Sequence, residues 1–220
     1  MRNVVYNMDC MKGMKEYPDK YFDLAIVDPV YGGVTRGGYM KNQGRSTVTE
    51  ARNDYPLALW EQEKTGKDYF DELFRVSKNQ IIWGGNYFTE EIHKDSQCWI
   101  CWDKYRAPGV AFADGELAWT SFNRSLKIFR YKWDGFMQAD MKNKEKRIHP
   151  TQKPVALYEW LLNNFAVEGD LILDTHVGSG SSRIACYNLN FDFVGYEIDE
   201  TYFKDQEKRY EAHTRQLRLF

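Results

Sequence analysis

Three short segments of this 220-residue chain carry side chains whose types and spacing could do chemistry. Asp28-Pro29-Val30-Tyr31-Gly32 follows the apolar run Phe22 to Val27, placing a carboxylate and an aromatic ring where α/β proteins bind ligands, at the carboxyl end of a strand. By itself this segment reads equally well as a turn, since proline and glycine punctuate turns. Asp174-Thr175-His176-Val177-Gly178-Ser179-Gly180-Ser181-Ser182 follows a second apolar run and opens a helical pattern. Its glycines let the backbone approach a ligand, and the free N–H groups of a helix start would face it. Glu197 closes the next strand, 17 residues after Gly180, where a carboxylate can accept from both hydroxyls of a ribose. A nucleoside-type ligand fits this pair. A dinucleotide fingerprint would add a third glycine at the position of Arg183. The third segment, His149-Pro150-Thr151-Gln152-Lys153-Pro154, precedes a helical pattern. Lys153 and that helix start could hold a small carboxylate, or form only a cap.

The elements that must position these residues alternate between short β-rich runs and longer amphipathic stretches. The patterning predicts strands near 3–8, 22–27, 79–83, 97–102, 117–121, 126–130, 171–174 and 192–196, with helices near 57–76, 86–94, 153–167, 181–190 and 200–213. The runs at 22–27 and 171–174 are apolar throughout, as expected of parallel strands covered on both faces. A doubly wound, mostly parallel α/β sheet follows. We expect one domain over 1–220, with a mobile glycine-rich loop near 32–56 and a polar surface excursion near 104–147.

Composition limits the remaining classes. At this mass roughly 70% of the chain's surface can be buried, so the core is large enough to need no disulfides. Cys10, Cys98, Cys101 and Cys186 are scattered, and the Cys98–Cys101 pair lacks a second half-site, so buried strand cysteines are expected. Mean hydropathy is -0.66 and no apolar stretch is long enough to span a bilayer, so no membrane partner and a cytoplasmic location are expected. Net charge is -2, yet eight Lys and Arg face three acids between Arg124 and Arg147, a local basic excess that reads as a nucleic-acid surface or a solvated face.

Taken together, and in this order, the segments resemble the amino-methylating DNA methyltransferases of the permuted β arrangement, phage-type adenine-N6 methylases in particular. The resemblance spans nearly the whole chain. It rests on Asp28 to Tyr31 as an Asp-Pro-Pro-Tyr motif, the His-Pro-Thr-Gln-Lys-Pro segment, the glycine loop, Gly195-Tyr196-Glu197, and the stretches Ile81 to Phe88 and Trp102-Asp103-Lys104. It implies a Rossmann-like AdoMet-dependent methyltransferase sheet with permuted motif order, and methyl transfer from S-adenosyl-L-methionine to a base flipped out of double-stranded DNA. Asp28 and the Pro29 carbonyl would accept the two amine hydrogens, and Tyr31 would stack on the base. Asp9, Lys153, Asp174, His176, Gly178, Ser179, Gly180 and Glu197 would line the cofactor site, although Asp9 reads equally as a helix cap. Arg36, Lys41, Arg45, Lys142, Lys144 and Lys146 would contact DNA. His149 and His176 read as contact or structural residues rather than catalysts, and Trp83, Tyr87 and Trp99 as core.

An aspartate at the first motif position points to the N6 amine of adenine. The N4 amine of cytosine, or a weakened AdoMet- and DNA-binding relic, are the alternatives. Val30 replaces the motif's second proline, which relaxes Pro29 while its β-branch keeps the backbone extended, so reduced rigidity rather than lost chemistry is expected. Thr175-His176 stands where the family has a proline and an aromatic residue. A homodimer and a cognate restriction nuclease remain open.

Overall fold

The computed structural model describes residues 2–32, 64–106, 113–134 and 137–217. All but the first residue of the expected 32–56 loop, with Arg36, Lys41 and Arg45, lies outside these residues, as does the start of the helix expected at 57–76.

Eight strands form the main sheet: β1 (Asn3–Asn7), β2 (Phe22–Val27), β3 (Ser77–Trp83), β4 (Ile100–Asp103), β5 (Gly115–Thr120), β6 (Lys127–Arg130), β9 (Leu171–Asp174) and β10 (Asp192–Glu197). Their spatial order is β1-β10-β9-β2-β3-β5-β4-β6. Every pairing is parallel except the two made by β5, with β3 and with β4. Among the described strands of this sheet, β5 alone therefore runs backwards, and its first residues lie at the edge where its neighbours end. Among the described residues the α-helices are α1 (Cys10–Met14), α2 (Lys67–Val76), α3 (Thr89–Ile92), α4 (Val155–Phe165), α5 (Ser181–Asn188) and α6 (Glu200–Leu217).

Successive side chains of a strand point to opposite faces, and both faces of β2 are covered. Leu24 and Ile26 pack with Leu157, Leu161 and Phe165 of α4, whereas Ala25 and Val27 pack with Phe70 and Leu73 of α2. This two-sided burial is why the run is apolar without alternation. In α2 the buried Tyr69, Phe70, Leu73 and Phe74 recur at helical spacing, and Ser77 closes the helix by donating its hydroxyl to the Leu73 carbonyl at 2.5 Å.

Several expected elements shift. The helix expected at 86–94 is a 3₁₀ turn, Gly85–Tyr87, followed by the single-turn α3, and α1 was not expected. Strand β3 starts at Ser77 rather than 79, and α6 continues to Leu217. Within the polar excursion, Trp133–Asp134 (β7) and Met137–Gln138 (β8) pair as a two-stranded ribbon. Only Cys101 of the four cysteines lies in a strand; Cys98 is buried ahead of β4, Cys186 is buried in α5, and Cys10 starts α1. Among the described residues no helix is long and apolar enough to cross a membrane.

Candidate active site

β2 and β9 are direct parallel neighbours, with Leu24 opposite Ile172 and Ala25 opposite Leu173. Asp28, one residue past β2, and Asp174, the last of β9, therefore emerge at the same sheet edge despite their distance along the chain. β10 lies beyond β9 and brings Glu197; β1 follows, with Asn7 opposite Glu197 and Asp9 two residues later. The sheet thus aligns the sequence-predicted carboxylates along one edge.

Asp28 is engaged on both oxygens. The Tyr31 hydroxyl donates to Oδ1, and the Lys153 ammonium pairs with Oδ2. Lys153 also reaches Glu116 Oε2 at 3.3 Å, while the other Glu116 oxygen takes the Lys104 ammonium. Lys153 was expected at a cofactor carboxylate; its buried ammonium instead sits in the Asp28 cluster. Burial works against that ammonium, but Asp28 and Glu116 more than offset it and raise its pKa. Burial likewise opposes the charge on Glu116, but the two lysines hold its pKa at about 2. Among the described residues, none donates a hydrogen bond to the Pro29 carbonyl. Val30, where a proline was expected, has its carbonyl fixed by the Thr65 N–H at 3.0 Å and the Thr65 hydroxyl at 3.1 Å, so hydrogen bonds substitute for ring rigidity.

The Tyr31 ring stacks on Tyr87, with centroids 5.1 Å apart, and meets the edge of Phe88. Gly84 makes this possible. Its φ is +66°, and a Cβ there would lie 2.2 Å from the Tyr31 ring. Tyr87 is therefore not core, as expected from sequence, but a half-exposed partner of Tyr31; Trp83 is core and Trp99 is half-buried.

Among the described residues, no lysine pairs with the carboxylates of the second half of the edge. Glu197 accepts the Gly178 N–H at 2.8 Å and the Asp199 N–H at 2.9 Å. Asp174 accepts the Ser182 hydroxyl at 2.5 Å and the His176 N–H at 2.9 Å. Burial pushes the Asp174 carboxyl up to about 7 and raises Glu197 as well. Gly178 and Gly180 both have positive φ, +53° and +76°, as the tight turn into α5 requires. Ser179 is buried in that turn. The Thr175 hydroxyl lies 2.6 Å from the Tyr69 hydroxyl and 2.9 Å from His176 Nδ1, so the departure from the family pattern is accommodated by a partner in α2. Burial pushes His176 down to about 4, which leaves it neutral at pH 7. Asp9 caps α1, accepting the Met11 N–H at 2.9 Å.

Sequence reasoning missed Glu116 and Arg209. The Arg209 guanidinium donates to the Ser179 carbonyl at 2.7 Å, the Ser181 hydroxyl at 2.9 Å and Glu145 at 2.6 Å. Glu145 in turn accepts the first N–H of α4, from Val155, at 3.0 Å. Arg183, at the absent third glycine, ties α5 to β1 and α6 through Asn3, Gln206 and Glu207. Lys142, Lys144 and Lys146 are exposed on the excursion.

Comparison with known proteins follows the same edge. A DNA methylase family model, for N6 and N4 methyltransferases, matches residues 39–208. The chain is similar to the Type II methyltransferase M2.DpnII of Streptococcus pneumoniae, 42% identical with 95% of this chain and 90% of the relative covered. It is similar to the Type II methyltransferase M.HpaI of Haemophilus parainfluenzae, 38% identical over 93% of this chain and 73% of the relative. The solved M1.HpyAVI–SAM complex shares the fold at a TM-score of 0.56 and 22% identity, covering 93% of this chain and 98% of that one.

Proposed function

The chain belongs to the DNA methylase family, and on that premise we propose that it transfers a methyl group from S-adenosyl-L-methionine to the N6 amine of a specific, flipped-out adenine in double-stranded DNA. The observation that carries the reading is the placement of Asp28, just past the end of β2, beside the glycine loop that follows β9.

Asp28 and the Pro29 carbonyl accept the two hydrogens of the target amine. This localises its lone pair and aims it across the β2–β9 boundary, an arrangement in which orientation supplies the rate enhancement. The Tyr31 hydroxyl occupies Asp28 Oδ1, so it yields that oxygen when an amine arrives, and its ring offers a face to the flipped base. Tyr87 backs that ring from behind.

The donor set of the other half fits the cofactor. Glu197 is oriented by two backbone N–H groups and keeps acceptor capacity for a ribose diol, and among the described residues no lysine pairs with it or with Asp174. When bound there, S-adenosyl-L-methionine supplies an electrophilic methyl group on a sulfonium whose departure leaves a neutral thioether. Gly178, Ser179, Gly180 and His176 would border it. Lys142, Lys144 and Lys146, exposed on a segment with a basic excess, would contact DNA phosphates, joined by Arg36, Lys41 and Arg45.

Nucleoside mass spectrometry on DNA from cells expressing the protein tests the reading. N6-methyldeoxyadenosine is expected. N4-methyldeoxycytidine would move the reaction to cytosine, and neither product would leave a binding relic. Long-read sequencing of the same DNA gives the site.

A further inference from the structure

Between Asp28 and the far end of the sheet runs a chain of alternating charges, Lys104, Glu116, Lys153 and Asp28, each in contact with the next. Three features of the fold assemble it. β5 runs backwards, so its second residue, Glu116, lies at the edge where β3 and β4 end. Lys104 directly follows β4 and continues the ladder by donating its N–H to the Asp114 carbonyl at 3.0 Å. Beneath the two ammoniums lie two indoles: Lys153 Nζ is 5.5 Å from the Trp83 ring centroid, and Lys104 Nζ is 4.7 Å from that of Trp102. The rings are in edge contact at 6.4 Å. They exclude water below the charges while offering them their faces.

We propose that Glu116 is a positioning residue for methyl transfer, holding the Lys153 ammonium on one oxygen of Asp28 so that the other stays available to the target amine. The inference rests on Asp28 as the amine acceptor and applies to adenine or cytosine alike. An ammonium paired with a carboxylate alone can bridge both its oxygens. Glu116 Oε2 draws Lys153 from the opposite side, fixing it at Oδ2 and leaving Oδ1 to Tyr31 or to substrate. Charge adds to geometry. As the amine attacks it becomes positive, and a neutral Asp28–Lys153 pair would stabilise that charge poorly. Glu116 offsets the Lys153 ammonium from its far side, so the negative charge of Asp28 is less fully neutralised next to the reacting nitrogen, while the Lys104 ammonium that balances Glu116 lies further away. Lys104, on the far Glu116 oxygen, keeps that carboxylate from turning away.

The test compares wild type, Glu116→Gln, Glu116→Asp, Lys153→Met and the Glu116→Gln/Lys153→Met double variant, all checked for cofactor binding and thermal unfolding. Glu116→Gln keeps the shape and removes the charge. Its kcat is expected to fall about 10- to 100-fold, the scale of one hydrogen bond to a charged group. Cofactor affinity and the KM for DNA should stay within about twofold. Glu116→Asp should recover part of the rate. Because Glu116 acts through Lys153, the double variant should lose no more than Lys153→Met does alone. Unchanged kcat in Glu116→Gln, losses that multiply in the double variant, or an equal loss of cofactor affinity would each overturn the inference. Wild type that methylates neither base would instead overturn the functional reading beneath it.

Discussion

Asp28 and Asp174 end neighbouring strands, yet their surroundings are opposite in kind. Asp28 is met by a buried ammonium and a tyrosine hydroxyl, and the Glu116 beside it is held at about 2 by two lysines against the cost of burial. Asp174 and Glu197 are met by backbone N–H groups and one serine hydroxyl, and burial drives both upward, Asp174 to about 7. The difference matches the partner each side must receive. On the proposed function, a neutral amine that becomes cationic during attack is received by a cluster of full charges, in which Lys153 links Asp28 to Glu116. A ligand that carries its own positive charge and hydroxyl donors is better received by carboxylates with no resident cation to displace. Full charges thus surround the proposed acceptor side and dipoles the proposed donor side, on adjacent strands of a single sheet.

The comparison is broken most sharply at Asp28. Asp28→Ala should reduce methyl transfer by at least about 10²–10³-fold, the cost of deleting one preorganised electrostatic partner of a transition state. Cofactor binding should be nearly unchanged, because Asp28 belongs to the acceptor side. Labelled-methyl transfer to DNA and equilibrium binding measure the two, and equal losses in both would mean that the halves are not separate.

Glu197→Ala should do the reverse, weakening S-adenosyl-L-methionine by about 1–3 kcal/mol through lost charge-assisted hydrogen bonds, with a smaller effect on turnover at saturation. Titration calorimetry decides it; unchanged affinity removes Glu197 from the cofactor side.

The smallest effect is a pH signature in which the two halves have opposite sign. The fold raises the Asp174 pKa above its ordinary value, so its contribution to stability is present below about pH 4 and is lost as pH rises through about 7. Asp174→Asn should remove that decline between pH 4 and 8. Glu116 is lowered instead, so it contributes above its ordinary carboxylate range and that contribution disappears as pH falls toward 2. Urea denaturation of the ligand-free protein across pH measures both, and a variant whose stability still falls on going from pH 4 to 8 as wild type does would contradict the Asp174 assignment.

Half of this arrangement was readable from residue order. Apolar runs ending in Asp28 and Asp174, and a glycine turn followed by Glu197, predict parallel strands whose chemistry gathers at one edge, and the sheet delivers them there. Local pattern encodes these features, since burial on both faces and positive φ each demand particular residue types. Glu116 was not readable, because nothing within Gly115-Glu116-Leu117 shows that β5 runs backwards; strand direction is decided by which neighbours pair. The residue type of Lys153 marked it as functional while its partners lay 125 residues away at Asp28 and on β5, so its assignment moved from one side of the site to the other. The helix expected at 86–94 gives way to short turns because Phe88, at φ -117° and ψ 20°, leaves helical geometry after the Gly85–Tyr87 turn, and His93, at φ 45°, ends α3 in the left-handed region.

Arg209, in the last helix, grips the glycine turn with one nitrogen and Glu145 of the basic excursion with the other. Glu145 is itself latched to the start of α4. The two surfaces that would meet cofactor and nucleic acid are therefore fastened by one rivet from the tail of the chain. Loosening α6 unfastens both together, so proteolytic nicking ahead of Arg209 would abolish the two binding events as one cooperative unit, whichever ligand is added first.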